Sequence, residues 1–381
     1  MFLRTSTKPI NAGDPSGDLH GSNFIRELLK LDTSAEIDYV GGKNIESVLH
    51  KKPLIPLDRT AFMGFVDVLK NIHTILNNFR IVKNHLLKYR YDVVILIDYP
   101  GFNLKMAKWC KEHNYKVYYY ISPTVWAWKE SRVHTIINYV DKLFCILPFE
   151  KDFYKKYNYE VEFVGHPLLD IINENTVSYS RDEFRQKYHL PDKKFIAILP
   201  GSRQQEIQAI LPIMTSICSY FKDYHFLIAG ISRFPKELYD PFLKENSSII
   251  YDDTYAILRF SEAGLIKSGT STMEAALFNV PQVVCYRGGQ LSYLIARLLV
   301  RNIQYISMVN LIMGKEVVKE LIQNDFNEKN LRKELDKLLN DTSYRNRILN
   351  DYQIMRKTLG GAGASKKLAE KIYYSLKSEN A

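Results

Sequence analysis

The sequence predicts an α/β protein of two domains, each a parallel sheet with helices on both faces. Three observations carry that prediction. The chain has 381 residues, more than one hydrophobic core usually organises. Its composition, 46% hydrophobic and 25% charged with 18 Gly and 14 Pro, is that of a folded soluble chain rather than a disordered or fibrous one. Short β-branched or aromatic runs alternate with longer amphipathic segments, the pattern that parallel sheets produce.

In chain order the apolar runs are 93–97, 117–121, 143–147, 195–199, 225–229, 264–266 and 280–286. Between the third and fourth lies 170–181, polar and without strand character, which reads as an inter-domain connector. The expected division is therefore 1–172 for one domain and 173–328 for the second. Residues 329–381 form C-terminal helices, expected to return to the N-terminal domain. There Leu331, Leu335, Leu338 and Leu339 make one apolar stripe, and Leu368, Ile372 and Leu376 another.

With 52 Lys+Arg against 42 Asp+Glu, the formal charge is +10. An anionic partner would explain it, whether nucleic acid, membrane surface or phosphorylated ligand, and so would lysines spread over solvated faces. Cys110, Cys145, Cys218 and Cys285 are far apart in apolar stretches and form no C-x-x-C. They read as small core residues in a reducing compartment rather than as zinc ligands or disulfides. No run approaches the ~20 apolar residues needed to span a bilayer, and the N-terminus has no apolar signal core. A cytoplasmic protein is the expectation.

Ligands of open α/β sheets sit at the carboxyl ends of strands, so the residues after each apolar run are the candidates. Gly201, Ser202 and Arg203 follow one run and open a helix bearing Ile207, Ile210 and Leu211. Backbone N–H groups and a guanidinium would converge there on an anion; a plain turn with an exposed Arg is the competing reading. Ser268, Gly269, Thr270 and Ser271 repeat the arrangement, with Glu274 placed to hold a ribose diol. Ser271 with Glu274 also fits a capping box. Two such loops in one block suggest a nucleoside diphosphate, although neither matches the Walker A or the G-x-G-x-x-G spacing. Asp98 follows the 93–97 run directly and is a candidate general base, or else an Asp that starts a Pro-Gly turn. Residues 12–21, with Asp14, Ser16, Gly17 and Asp18, form a glycine-rich acidic loop that would repel phosphate and suit a hydroxyl-bearing ligand.

These four stretches, in this order, resemble lipid-A-disaccharide synthases. So do Ala61-Phe62-Met63-Gly64-Phe65, Ser122-Pro123-Thr124-Val125-Trp126-Ala127-Trp128, Leu147-Pro148-Phe149-Glu150, Gly165-His166-Pro167 and Met308-Val309-Asn310-Leu311. The resemblance runs from about residue 12 to about residue 322. It implies a GT-B fold, two Rossmann-like domains facing across a cleft. It also implies a reaction: transfer of 2,3-diacylglucosamine from its UDP derivative to the 6-hydroxyl of 2,3-diacylglucosamine 1-phosphate, with release of UDP. Asn310 would then lie on the nucleotide side, and Asp14, Ser16, Gly17, Asp18, Met63, Gly64 and Asn103 on the acceptor side. Asp98 would be the base of an inverting transfer. The sequence has no Asp-x-Asp pair, so Arg203 and the two helix N-termini would stabilise the leaving diphosphate, with no metal and no cofactor. The family pattern departs at the start, where residues 1–11 carry no apolar first strand and Asp14 and Pro15 replace the usual Glu and small residue.

Both substrates would carry membrane-anchored acyl chains. Phe65, Val66, Val68, Leu69, Ile72, Ile75, Leu76, Phe79 and Val82 recur at helical spacing beside Lys70, Arg80, Lys83 and Lys88. That is the composition of an interfacial helix meeting anionic lipid on the cytoplasmic face of the inner membrane. A helix packing its stripe on the sheet would have a narrower apolar arc. His166 reads as a core or turn histidine, and Trp126 and Trp128 as packing residues. No helix-turn-helix, zinc spacing or aromatic–Arg interleaving supports nucleic acid. Another UDP-sugar enzyme of the GT-B fold, such as a UDP-N-acetylglucosamine 2-epimerase, and an inactive lipid-binding homologue are the alternatives. A homodimer is left open.

Overall fold

The computed structural model describes residues 10–12, 15–60, 71–89, 91–126, 130–174, 178–288 and 304–379. The chain divides into two compact units, residues 1–170 with 359–381, and residues 171–358.

The first unit begins with β1 (Ile10–Ala12), α1 (Pro15–Leu31), β2 (Tyr39–Gly41), α2 (Lys43–Leu49), β3 (Ile55–Pro56), α3 (Ile72–Lys88) and β4 (Val94–Ile97). It continues with α4 (Pro100–Glu112), β5 (Val117–Tyr120), α5 (Arg132–Tyr139), β6 (Lys142–Cys145), α6 (Glu150–Lys155), β7 (Glu162–Phe163) and α7 (Leu168–Glu174). The strands form one parallel sheet in the order β3-β2-β1-β4-β5-β6-β7. Both faces are covered, and the sequence shows how: Val94 and Leu96 enter one core layer, while Val93, Ile95 and Ile97 enter the other. A strand buried on both sides reads as a continuous apolar run rather than an alternation. Each such side chain contributes about 1.5–3 kcal/mol of burial. β1 pairs with both β2 and β4 although only three residues long, so the missing apolar run at the start corresponds to a short central strand.

The second unit holds α8 (Arg181–Lys187), β8 (Lys194–Leu199), α9 (Gln204–Ser216), β9 (Tyr224–Gly230), β10 (Ser247–Tyr251), α10 (Thr254–Phe260) and β11 (Ser261–Lys267). It ends with α11 (Thr270–Leu277), β12 (Gln282–Tyr286), α12 (Met308–Met313), β13 (Lys319–Ile322), α13 (Glu328–Asn340) and α14 (Thr342–Thr358). Its parallel sheet has the order β10-β9-β8-β11-β12-β13. α15 (Ala364–Glu379) then packs on α1, burying Leu368, Ile372 and Leu376 in the first unit's core.

The C-terminal segment therefore differs from the grouping expected for 329–381. α15 belongs with the first unit, but α13 and α14 stay with the second, where α13 packs against β11, β12 and β13. Leu331, Leu335 and Leu338 are buried there. An amphipathic stripe dictates that a helix packs, not on which sheet. Both ends of the 170–181 stretch are structured, unlike a bare connector. The chain leaves the first unit inside α7, and Ser180 and Glu183 form a full capping box on α8.

In each sheet the strand order reverses at one point, between β1 and β4 and between β8 and β11. That is where open α/β sheets bind ligands. The four loops singled out in the sequence follow these four strands.

Candidate active site

In the second unit, β8 ends at Leu199 and the chain turns through Pro200, Gly201 and Ser202 into α9. Gly201 has φ +116°, a conformation that L side chains rarely adopt. Arg203 is the N-cap residue, without a side-chain cap, and its side chain is 60% exposed. Beside this loop, Glu206 in the first turn of α9 accepts the Ser202 N–H on Oε2 at 3.2 Å. Its Oε1 lies 2.8 Å from Lys267 Nζ and 3.8 Å from Arg203 Nη1. Arg233 donates to the Ser202 carbonyl at 2.6 Å. Two cations thus flank the Glu206 carboxylate at the end of the sheet, and a third holds the Ser202 carbonyl of the same turn. Glu206, Arg233 and Lys267 are not among the predicted site residues.

The second loop follows β11. Gly269 is the N-cap of α11, without a side-chain cap, so the capping box expected from Ser271 and Glu274 does not form. α11 starts at Thr270, too early for Ser271 to be the cap. Ser268 is spent locally, its hydroxyl donating to Ile306 O at 2.8 Å. Thr270 is exposed and Ser271 half-buried. Glu274 lies near Tyr255, whose hydroxyl is 3.4 Å from its Oε1, and burial raises its carboxyl above the usual range.

Asn310 is fully buried. Its Nδ2 donates to Val318 O and Glu320 Oε1, both at 2.9 Å, and its Oδ1 accepts from Val317 N at 2.8 Å and Val318 N at 3.0 Å. All four hydrogen-bonding positions of the amide are used inside the unit. Glu320 in turn accepts the N–H groups of Ile306 and Ser307. Asn310 therefore shapes the segment that holds Ser268, and its amide has no capacity left for a nucleotide.

In the first unit, Asp98 stands one residue past β4 with φ +44°, followed by Tyr99 at +47° and Pro100 at the start of α4. Its backbone is fixed from three sides. Asp98 N donates to Tyr120 O at 3.0 Å, and Asp98 O accepts from Asn103 Nδ2 at 2.8 Å and Tyr119 Oη at 2.5 Å. Asn103 is completely buried and also donates to Ile97 O at 3.1 Å. It positions Asp98 from beneath, which differs from an acceptor-contacting role.

Asp18 is likewise buried. Its carboxylate accepts the N–H groups of Gly42, Asn44 and Ile45 at 2.6, 3.0 and 3.4 Å, closing the N-terminus of α2. Ser16 is exposed and Gly17 buried. Asp14, Met63, Gly64, Phe65, Val66, Val68 and Leu69 lie outside the described residues. At the start of α6, past the neighbouring strand β6, Glu150 accepts from Leu147 N at 2.9 Å. Its carboxyl is pushed up to about 7 by burial, against the opposing pull of the backbone N–H groups, Ser122 and Trp126.

Residues 9–372 match the Lipid-A-disaccharide synthetase family. The chain belongs to that family. A lipid-A-disaccharide synthase from Coxiella burnetii is 34% identical over 95% of this chain and 96% of its own length. One from Nitrosococcus oceani is 35% identical over 97% and 96%. As a lipid-A-disaccharide synthase family member the chain is a glycosyltransferase of the hexosyltransferase type.

Solved structures share its GT-B architecture at low identity. The S. aureus MnaA–UDP co-structure superposes with a TM-score of 0.69 at 14% identity, over 98% of this chain and 97% of that one. The calicheamicin glycosyltransferase CalG4 gives 0.62 at 14%, over the whole of both chains. Within the family's fold, the predicted stripe on α3 divides. Val82 is buried, as is Leu86 one turn beyond the stripe, and Ile75 and Phe79 pack beside the core, whereas Ile72 is 39% and Leu76 61% exposed. Lys83 is turned back over the rings of Phe79 and Trp109. The four cysteines are free and buried, and no helix among the described residues is long and apolar enough to cross a membrane.

Proposed function

We propose that this enzyme transfers 2,3-diacylglucosamine from its UDP derivative to the 6-hydroxyl of 2,3-diacylglucosamine 1-phosphate, forming the β-1,6 disaccharide 1-phosphate of lipid A and UDP. The observation that carries the reading is the chemistry at the two switch points: an aspartate whose backbone is held rigidly after β4, and a cationic glycine turn after β8. The acceptor oxygen attacks the anomeric carbon and its proton passes to Asp98. The bond from that carbon to the β-phosphate oxygen breaks, and its electron pair leaves with UDP. In-line attack inverts the anomeric centre.

Charge growing on the β-phosphate falls to fixed donors: the Arg203 guanidinium and the backbone N–H groups that open α9 and α11. In this reading Gly201, Ser202, Gly269 and Thr270 supply backbone, and Glu274 binds the ribose. The acyl chains require contact with a membrane. Ile72 and Leu76 on α3, with the preceding residues 65–69, would enter an anionic surface on the cytoplasmic side of the inner membrane.

UDP release from UDP-diacylglucosamine, measured with and without the lipid acceptor, tests the reaction. The wild type should release UDP only with acceptor present. Asp98→Ala should lower the rate by about 10²–10⁴-fold, the range for loss of a general base. A wild type without acceptor-dependent release would remove the transferase assignment, and a normal rate in Asp98→Ala would remove only the base.

A further inference from the structure

The diphosphate reading above gives the site one cationic side chain, Arg203, and that side chain is mostly in solvent. Solvent screens a guanidinium that is 60% exposed, and one positive charge does not balance a leaving group that carries two or more negative ones. The loop ends contain a better-placed cation. Lys267 is the last residue of β11, the strand hydrogen-bonded to β8 on the far side of the switch point. Its side chain is only 21% exposed, and its ammonium is fixed by the 2.8 Å contact to Glu206 Oε1.

Two further distances locate that ammonium. A Cβ at Gly201 would stand 2.6 Å from Glu206 Oε2, so the carboxylate lies directly against the first turn. At Gly269, whose φ is +152°, the nearest atom to such a Cβ is Lys267 Nζ, at 4.0 Å. Lys267 Nζ therefore stands between the two glycine turns, touching the carboxylate that braces one and flanking the open side of the other. Arg203 and Lys267 against Glu206 leave one net positive charge beside the first turn, and Arg233 adds a cation on its Ser202 carbonyl.

We propose that Lys267 is a second diphosphate-binding cation, held between the two glycine turns by Glu206, and that it shares the charge of the departing UDP with Arg203. Glu206 is a positioning residue in this arrangement. It keeps the long lysine side chain in one geometry before the ligand arrives, and it braces the Ser202 N–H. The inference rests on the proposed UDP-sugar donor and extends it to a residue at the end of β11.

Equilibrium binding of UDP and of uridine to the full chain, for wild type, Lys267→Met and Lys267→Arg, tests it. Lys267→Met should weaken UDP binding about tenfold or more, the scale of one lost charge-assisted contact, and leave uridine binding unchanged. Lys267→Arg should recover most of the UDP affinity. Uridine binding doubles as the folding control. Equal UDP affinity in wild type and Lys267→Met would overturn the proposal, as would a parallel loss of UDP and uridine, which marks a structural role. A wild type that binds uridine no better than an unrelated nucleoside, and no UDP, would instead overturn the nucleotide reading beneath it.

Discussion

Asp98 and Tyr99, adjacent residues with full side chains, hold φ of +44° and +47°. This region costs roughly 1–2 kcal/mol per L-residue, so the surrounding hydrogen bonds must impose it. Asn103 is the residue that imposes it most directly, since its Nδ2 donates to both Ile97 O and Asp98 O. Replacing it with Ala would leave those carbonyls without this buried donor, at about 1–3 kcal/mol. We expect Asn103→Ala to lose about that much stability in urea titrations. At a temperature where it is still folded, kcat should fall while KM for the donor stays near wild type, because the donor loops belong to the other unit. A kcat equal to wild type would show that Asp98 keeps its geometry without Asn103. The amide was visible in the sequence only as the second residue after Pro100-Gly101. Nothing local says that it turns inward, which is why it read as an acceptor contact. Asp18 and Asn310 misled for the same reason. Each is a polar residue in a promising loop whose partners, Gly42 to Ile45 for one and Val317 to Glu320 for the other, come from elsewhere in the chain.

Helix α3 shows how one element can serve two solvents. Its C-terminal half is anchored: Val82 and Leu86 are buried, and His85 Nε2 lies 3.0 Å from Asp38 Oδ2. Asn78 Nδ2 reaches Arg59 O at 2.7 Å. Its first turns instead carry Ile72 and Leu76 outward. Because the anchors lie elsewhere, Ile72→Ser with Leu76→Ser should change stability by no more than about 0.5 kcal/mol, the usual range for exposed sites. The same double variant should sediment much less with phosphatidylglycerol vesicles than the wild type. Undiminished sedimentation would remove α3 from the membrane face. Element by element, the sequence disclosed the strands that are buried on both sides, since 93–97 or 195–199 are apolar throughout. It did not disclose β10 or β13, where Ser247–Tyr251 and Lys319–Ile322 are partly exposed and mixed in polarity. Nor could the stripes on α13 and α15 announce that one packs on β11 and the other on α1.

At the scale of the whole chain, the first unit is assembled from segments separated by the entire second unit, and a buried polar knot ties its ends together. Asp170, at the start of α7, accepts the N–H groups of Gly363, Ala364 and Ser365 that open α15, at 2.5, 3.3 and 2.9 Å. His166 N donates to Leu359 O at 3.3 Å, and its Nδ1 accepts the Leu168 N–H at 3.2 Å. Near it, His20 Nδ1 is buried without a hydrogen-bond partner. Burial lowers the His166 imidazole from 6.5 to about 3 and that of His20 to about 4, the latter against the pull of Asp170. For a base with a depressed folded-state pKa, the unfolded chain binds the extra proton. Stability is therefore complete above the unfolded pKa of 6.5 and is lost as pH falls toward the folded value. For His166 alone the loss reaches about 2 kcal/mol at pH 5. The first unit should accordingly weaken between pH 7 and pH 5. Chemical denaturation at those two pH values, for wild type and His166→Asn, measures this directly. The variant keeps an acceptor for the Leu168 N–H but does not titrate, so its stability should vary less with pH by about 2 kcal/mol. The same pH dependence in both proteins would mean that the histidine is protonated without cost, and that the knot at the return of α15 is wetter than its burial implies.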